Sequence, residues 1–405
     1  MISIDLIEST AEVLMDKAAI EIPQDYLDGL EATASVEDGD LSSFVLQAML
    51  ENYKAAKEDR RAMCGDTGCP RWYVKMGNEA QIEGGPVALE EALRRATATA
   101  TNGVPLRPNR VHPLWRTDHD NNVGINAPEI EYGFEPSAPG QGDWIDLTTV
   151  HKGGLFGTDY RMLFPSDGIE GIKRFYLDSL VAFGKRGLAC QPAIIGIGLG
   201  GSKDTCMVLG KRAACLRTVG DRNPDPRIAE LEMEFKELGN SIGMGAMGFV
   251  GKSMVVDCHI EVGYCHTGGM QMSVHAFCLS SRRACARVHA DGRVEHRTDP
   301  QWFTPFQRRE TVEWPATATA AVHPMTKHMQ IAASATETPP TGARAWARAA
   351  ETRKGPASAT PSRRRCLPRS ISSVTEGWTS LPQASARPEN PSLAAVGSLL
   401  KSRTH

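Results

Sequence analysis

The sequence predicts a mixed α/β protein in three parts: an N-terminal helical cap over 1–60, a single α/β body over 61–314, and a disordered basic tail over 315–405. Three observations predict it. Apolar residues in the first 60 positions recur at helical spacing. From Cys64 onward, short alternating or wholly apolar runs interleave with amphipathic stretches of helix length. At Pro315 the composition breaks: the remaining 91 residues hold 10 of the 25 prolines, 12 Lys+Arg, 4 Glu and no Asp. A stretch of Ala, Pro, Thr, Ser and Arg without periodicity cannot bury enough apolar surface to offset its ordering entropy. It reads as a disordered extension, with a basic nucleic-acid arm or translation in a shifted frame as the other readings.

In chain order, Ile4, Leu6, Ile7, Ala11, Leu14, Met15 and Ala18 predict a helix over 3–20, and the same spacing predicts helices over 24–34 and 41–57. CGDTGCP is a turn-rich loop leading into a strand, RWYVKMG. Residues 86–97 form a helix with Pro86 at its start. Residues 101–142, rich in Asn, Pro, Gly and Asp, read mostly as loop, and 143–150 alternates as a strand. Asp167 is placed to cap the helix that follows it. PAIIGIGLGG (192–201) is a buried strand ending in glycines, and Ser202 opens another helix. Residues 226–243 are amphipathic, 253–262 and 270–278 are strands, and ARVHADGRVEH is a hairpin turning on Asp-Gly.

Composition excludes several classes. The net charge of −3 gives no global reason to bind nucleic acid or an anionic membrane. No run approaches the ~20 apolar residues of a membrane span. The acids inside the N-terminal apolar stretch argue against a signal peptide. The expectation is a cytoplasmic protein whose 10 cysteines are free thiols or metal ligands rather than disulfides.

Two motifs invite chemistry. Gly196, Gly198 and Gly201 fit G-x-G-x-x-G between a strand and a helix, with Asp221 twenty residues on, as a dinucleotide site requires. Against that reading, Gly243, Gly245 and Gly248 repeat the spacing, no second βαβ pattern follows, and Asp221 lies in a turn. The alternative is that these glycines admit a close backbone approach. Among the cysteines, Cys206, Cys215 and Cys258 lie inside regular elements and Cys366 in the tail, whereas Cys64, Cys190 and Cys278 each sit where the chain bends. Neither compact ferredoxin spacings nor zinc-ribbon pairs are present.

The segments CGDTGCPRWYVKMG, PLRPNRV, LFPSDGIEGIKRF, ACQPAIIGIGLGGSKDTCMVLGKRAACLR, VGDRNPDPRIAELEMEFKELGNSIGMGAMGFVGKS and GYCHTGGMQMSVHAFCLSSRRA occur in that order. On them, residues 61–314 resemble the α subunit, or N-terminal half, of the iron–sulfur hydro-lyases, which are class I fumarases and L(+)-tartrate dehydratases. The resemblance implies a [4Fe–4S] cluster held by Cys64, Cys190 and Cys278, with one iron left open. It implies dehydration of a 2-hydroxy dicarboxylate, in which a Lewis-acidic iron stabilises the departing hydroxide and a base takes a proton from the neighbouring carbon.

The resemblance also implies catalytic roles for Asp66 and His266, and substrate contacts from Arg107, whose guanidinium suits a carboxylate, and from Gly153 and Gly154. Read alone, Asp66 is a turn cap and His266 a surface residue. Two departures stand out: Leu155 occupies a usual glycine position after Lys152-Gly153-Gly154, and Gln191 replaces a proline. No segment of 1–314 resembles the second module of these enzymes. A separate β subunit is therefore expected, in a heterotetramer of two α and two β chains acting on a small dicarboxylate, with no membrane or nucleic-acid partner. The competing readings are a NAD-linked oxidoreductase and a non-catalytic iron–sulfur protein.

Overall fold

The computed structural model describes residues 1–311 apart from 105, 154–156 and 186–189. The tail expected over 315–405, including Cys366, and the loop residues Gly154 and Leu155 lie outside the described residues. The described residues lie in one compact unit.

The chain is mixed α/β, as its periodicities predict. Its elements are α1 (Ile4–Ile20), α2 (Gln24–Ser35), α3 (Asp40–Glu58), β1 (Cys69–Gly77), α4 (Gly85–Gly103), β2 (Glu129–Glu135), β3 (Trp144–Lys152), β4 (Thr158–Leu163), α5 (Gly168–Lys185), β5 (Ala193–Gly200), α6 (Lys203–Leu216), α7 (Pro226–Asn240), β6 (Val255–Gly263), β7 (Met270–Phe277), β8 (Arg282–His289) and β9 (Val294–Arg297). Two strands, β2 and β4, were not expected. Helix α4 runs six residues past its expected end, because Ala96, Thr97, Ala100 and Thr101 continue its buried face. Asp167 does not cap α5. Its carboxylate accepts the Phe164 N–H at 2.7 Å and closes the turn ahead of the helix.

A five-stranded sheet has the order β2-β1-β3-β8-β9 and a four-stranded sheet the order β4-β7-β5-β6. Both are mixed: β1 and β2 run parallel while β1, β3, β8 and β9 alternate, and β5 runs parallel to β6 but antiparallel to β7. Helices α1 and α4 bury Ile7, Leu14, Leu89 and Leu93 against Trp72, Ile145 and Leu147 of the first sheet. Helices α5 and α7 cover the second sheet through Phe175, Tyr176, Leu180 and Phe235. A third core gathers α2, α3, Val150, Ile194, Phe277 and Leu279 where the sheets meet.

That meeting place is set by topology. The chain passes from β7 in one sheet to β8 in the other through Cys278–Ser281. Cys64 precedes β1 of the first sheet, and Cys190 precedes β5 of the second. Among the described residues no helix is long and apolar enough to cross a membrane.

Candidate active site

The three bend cysteines converge on this seam. The Leu279 N–H donates to the Cys190 carbonyl at 2.8 Å, which fixes the loop before β5 against the crossing from β7 to β8. Burial pushes the Cys190 thiol up to about 12, and the charges of Cys278, Cys64 and Asp66 push the same way, against Arg282. Cys278 is buried, while Cys64 and Cys190 are half-buried, and all nine described cysteines are free thiols. Two phenols lie over them: the Tyr53 hydroxyl donates to the Leu279 carbonyl at 2.5 Å, and the Tyr26 hydroxyl to the Pro192 carbonyl at 3.1 Å. Burial raises both phenols well above their usual range. Cys278 adds to the shift in each, with Cys190 contributing at Tyr26 and Cys64 at Tyr53.

The loop carrying Cys64 is bonded to the loop carrying Arg107. Thr67 accepts the Arg107 N–H at 2.8 Å, and the Arg107 guanidinium reaches the Gly65 carbonyl at 3.4 Å. Asn109 donates to Asp66 Oδ1 at 3.2 Å and to the Gly68 carbonyl at 2.9 Å. The Gly68 N–H also donates to Asp66 Oδ1, at 3.0 Å. The turn is tight: Gly68 has φ +81°, and a Cβ there would lie 2.7 Å from the His151 backbone. One oxygen of Asp66 closes the turn, and its charge acts on the Cys190 thiol.

Two cations lie at the seam: Arg282, which the sequence did not mark, and Lys152, which it marked only as part of Lys152-Gly153-Gly154. Arg282 is 2% exposed and donates to the Asp66 carbonyl. It pairs with His151 across β3 and β8. Its significance depends on a contact 216 residues away, so no local signal marks it. Lys152 pairs with Cys69 across β1 and β3. Burial lowers the Lys152 ammonium, while Cys215, Cys278, Cys69 and Asp66 oppose the shift. Gly153 is buried next to it and lines a cavity that also includes Lys152.

His266 is not brought to the cysteines. It is exposed in the β6–β7 loop, where its Nδ1 accepts the Gly268 N–H at 3.0 Å. The eight residues of β7 separate this loop from Cys278, about 25 Å at strand rise.

The G-x-G-x-x-G glycines serve packing. A Cβ on Gly196 would lie 2.2 Å from the Gly210 carbonyl, and one on Gly198 2.1 Å from the Cys206 carbonyl. Both residues let α6 press onto β5. Asp221 accepts from Arg217 Nε at 2.7 Å and is occupied by that ion pair. These contacts remove the observations on which a nicotinamide site rested.

Three soft thiols from three loops suit an iron–sulfur cluster. Two orphaned buried atoms are further signs of a missing group: Arg282 Nε, and Oε1 of Gln191 beside Cys190, have no partner. Among the described residues no group of three or more His, Cys, Asp or Glu could hold a metal ion. A cluster gives each thiolate its own iron, so its ligands need not crowd around one ion.

Comparison with known proteins identifies the family. A family model described as fumarate hydratase (Fumerase) matches residues 8–287. The chain is 38% identical over 288 residues to a putative L(+)-tartrate dehydratase subunit alpha of Methanocaldococcus jannaschii, covering 69% of this chain and 97% of that protein. It is 31% identical over 273 residues to the L(+)-tartrate dehydratase subunit alpha of Escherichia coli strain UTI89, covering 67% of this chain and 86% of that one. The strain K12 protein of the same name is 30% identical over the same length.

Proposed function

The chain belongs to the fumarate hydratase family and is a hydro-lyase, and from that premise we propose that it is the α subunit of a [4Fe–4S] enzyme that dehydrates a 2-hydroxy dicarboxylate. The substrate class is tartrate, malate or fumarate, with tartrate favoured by the names of the relatives. The observation that carries the proposal is the convergence of Cys64, Cys190 and Cys278 on one seam, beside Asp66. These three cysteines hold the cluster, which when bound supplies a Lewis acid for loss of hydroxide.

The chain's own residues do the rest. Gly68 and Asn109 hold Asp66 by one oxygen, leaving the other to accept or hold a proton at the reaction centre. Arg107 is anchored through its backbone and is otherwise exposed. It takes one carboxylate of the substrate and fixes its orientation. Gly153, beside Lys152, lies against the substrate, and Gly154 is assigned the same contact from the sequence alone. His266 serves a reaction only where another chain brings substrate to its loop.

An exposed Arg107 and an open Asp66 loop leave water on every charge contact, which weakens them. The site therefore needs a cover. The relatives are named as α subunits, which supports a separate β subunit and a heterotetramer of two chains of each kind. The test is an anaerobic assay of the chain alone and of its complex with a β subunit, against tartrate, malate and fumarate. The complex turns over one of them, and the single chain binds iron but does not. Full turnover by the single chain would sink the two-subunit reading.

A further inference from the structure

We propose that the turn over residues 111–117 is the anchor by which the second subunit docks on this chain, with Trp115 as the side chain taken into an apolar pocket. The inference rests on the two-subunit reading above and adds where the contact is made. Leu114 and Trp115 are each 73% exposed, and residues 113–120 are exposed throughout. A tryptophan offers roughly 150–250 Å² of contact surface, and large aromatics are the usual anchors of protein interfaces. Residues 111–115, VHPLW, include no Asp, Glu, Lys or Arg, so the tip meets a partner with no fixed charge to desolvate.

The tip is held in shape by its own bonds. The His112 N–H donates to the Thr117 carbonyl at 2.7 Å, and the Arg116 N–H to the His112 carbonyl at 2.9 Å. Nδ1 of His112 accepts the Leu114 and Trp115 N–H groups, each at 3.2 Å. The same ring stacks on Trp115, with centroids 5.9 Å apart and an interplanar angle of 13°. An anchor fixed before docking loses less conformational freedom on binding than a mobile one.

What covers the tip follows from where the turn begins and ends. Asn122 is 2% exposed; its side chain donates to the Arg107 carbonyl at 3.0 Å and accepts the Arg110 N–H at 3.2 Å. The turn therefore leaves the body beside Arg107 and returns beside it. Arg107 is exposed, and its contact with a substrate carboxylate is strong only where water is excluded. A chain lying over Arg107 meets the base of this turn, whereas a partner elsewhere on the body does not. A second turn follows directly: Arg94 donates to the Gly124 and Ala127 carbonyls at 3.3 and 3.2 Å, and Ile125 between them is 91% exposed. Leu114, Trp115 and Ile125 thus offer one partner three apolar contacts from two braced turns.

The experiment measures anaerobic association of the full chain with an immobilised β subunit. Trp115→Ala should weaken it at least about thirtyfold, the loss expected of a hot-spot anchor, and Leu114→Ala and His112→Ala should each weaken it several-fold. Trp115→Phe should recover most of the loss. Val87→Ala, which trims a residue 76% exposed on α4, should leave association unchanged. At saturating β subunit Trp115→Ala should regain the parent kcat, which loss of a residue acting on substrate would not allow. Equal association of the parent and Trp115→Ala overturns this inference alone, and no association of the parent overturns the two-subunit reading with it. Self-association of the parent that Trp115→Ala abolishes assigns the tip to a second copy and also overturns it. Should Trp115→Ala fail to fold, hydroxyl-radical labelling of Trp115 in the parent decides, read by mass spectrometry. Protection in the complex supports the anchor, and equal labelling with and without the β subunit overturns it.

Discussion

Beneath α1 and α4 the five-stranded sheet buries Ile7, Leu14, Leu89, Leu93, Ile145 and Leu147. Within this core Trp72 donates to Thr97 at 3.0 Å and Thr97 to the Leu93 carbonyl at 2.7 Å. At the seam, continuations of the same strands bury Arg282, His151 and Tyr73, each with an atom that has no partner. The first region is explained by the chain alone. The second is not, because buried polar groups are costly unless bonded. The unpartnered atoms set the seam apart from the apolar core, and the group proposed to bind there is what would answer them.

The contrast predicts that damage to the two regions is read by different instruments. The largest effect belongs to the thiols. Cys64→Ala, Cys190→Ala and Cys278→Ala should each lose iron and essentially all hydro-lyase activity after anaerobic reconstitution. Cys206→Ala and Cys215→Ala, inside α6, should keep their iron. Equal iron in all five variants would erase the distinction between seam and core. Next is Arg107→Ala, assayed in the complex with a β subunit. It should raise KM and lower kcat together, costing about a hundredfold in kcat/KM if the guanidinium both binds and orients a carboxylate. A normal kcat/KM would leave Arg107 as a strut for the Cys64 loop.

Leu14→Ala should do the reverse. It opens a cavity under α1 and should cost about 2–5 kcal/mol by denaturant unfolding, with iron per folded molecule unchanged. Loss of iron at unchanged stability would mean that the finished core and the seam are coupled. The smallest effect concerns Glu37, which ties the turn between α2 and α3 to 251–253. Burial would raise its carboxyl, but bonds from the Ser253 hydroxyl, the Gly39 N–H, the Ser42 hydroxyl and the Lys252 N–H bring it down to about 2. A depressed carboxyl stabilises fully above the ordinary glutamate value and loses that stabilisation as pH falls through about 2. Glu37→Gln should therefore be less stable than the parent by ~1–3 kcal/mol at neutral pH. Urea melts should converge as the medium is acidified, and a gap independent of pH would assign the effect to packing.

The finished region was the more legible one. Spacing of Ile7, Ala11, Leu14 and Ala18 was enough for α1, and alternation was enough for β3. The strands that escaped, β2 and β4, are edge strands of their sheets. EIEYGFE is half-buried along most of its length and TDYRML has two exposed positions, so neither carries the apolar face on which periodicity depends. At the seam, cysteines at bends and the CGDTG turn were visible locally. The significance of Arg282 was not, because it acts through a neighbour distant in sequence. The glycine fingerprint misled for a related reason: a strand that must touch a helix needs the same small residues as one that must touch a phosphate.

One consequence of the seam belongs to the making of the protein. Its thiols come from positions 64, 190 and 278, and the backbone bond that fixes Cys190 is donated by Leu279. While the chain is being synthesised, most of the first sheet's residues and all of α5 to α7 exist before that donor does. A nascent chain ending before β7 carries two of the three thiols, exposed and unpositioned, so iron delivered then would be held loosely and lost readily. On the proposed cluster assignment, loading follows synthesis of the β7–β8 crossing, which supplies the third thiol and the Leu279 N–H.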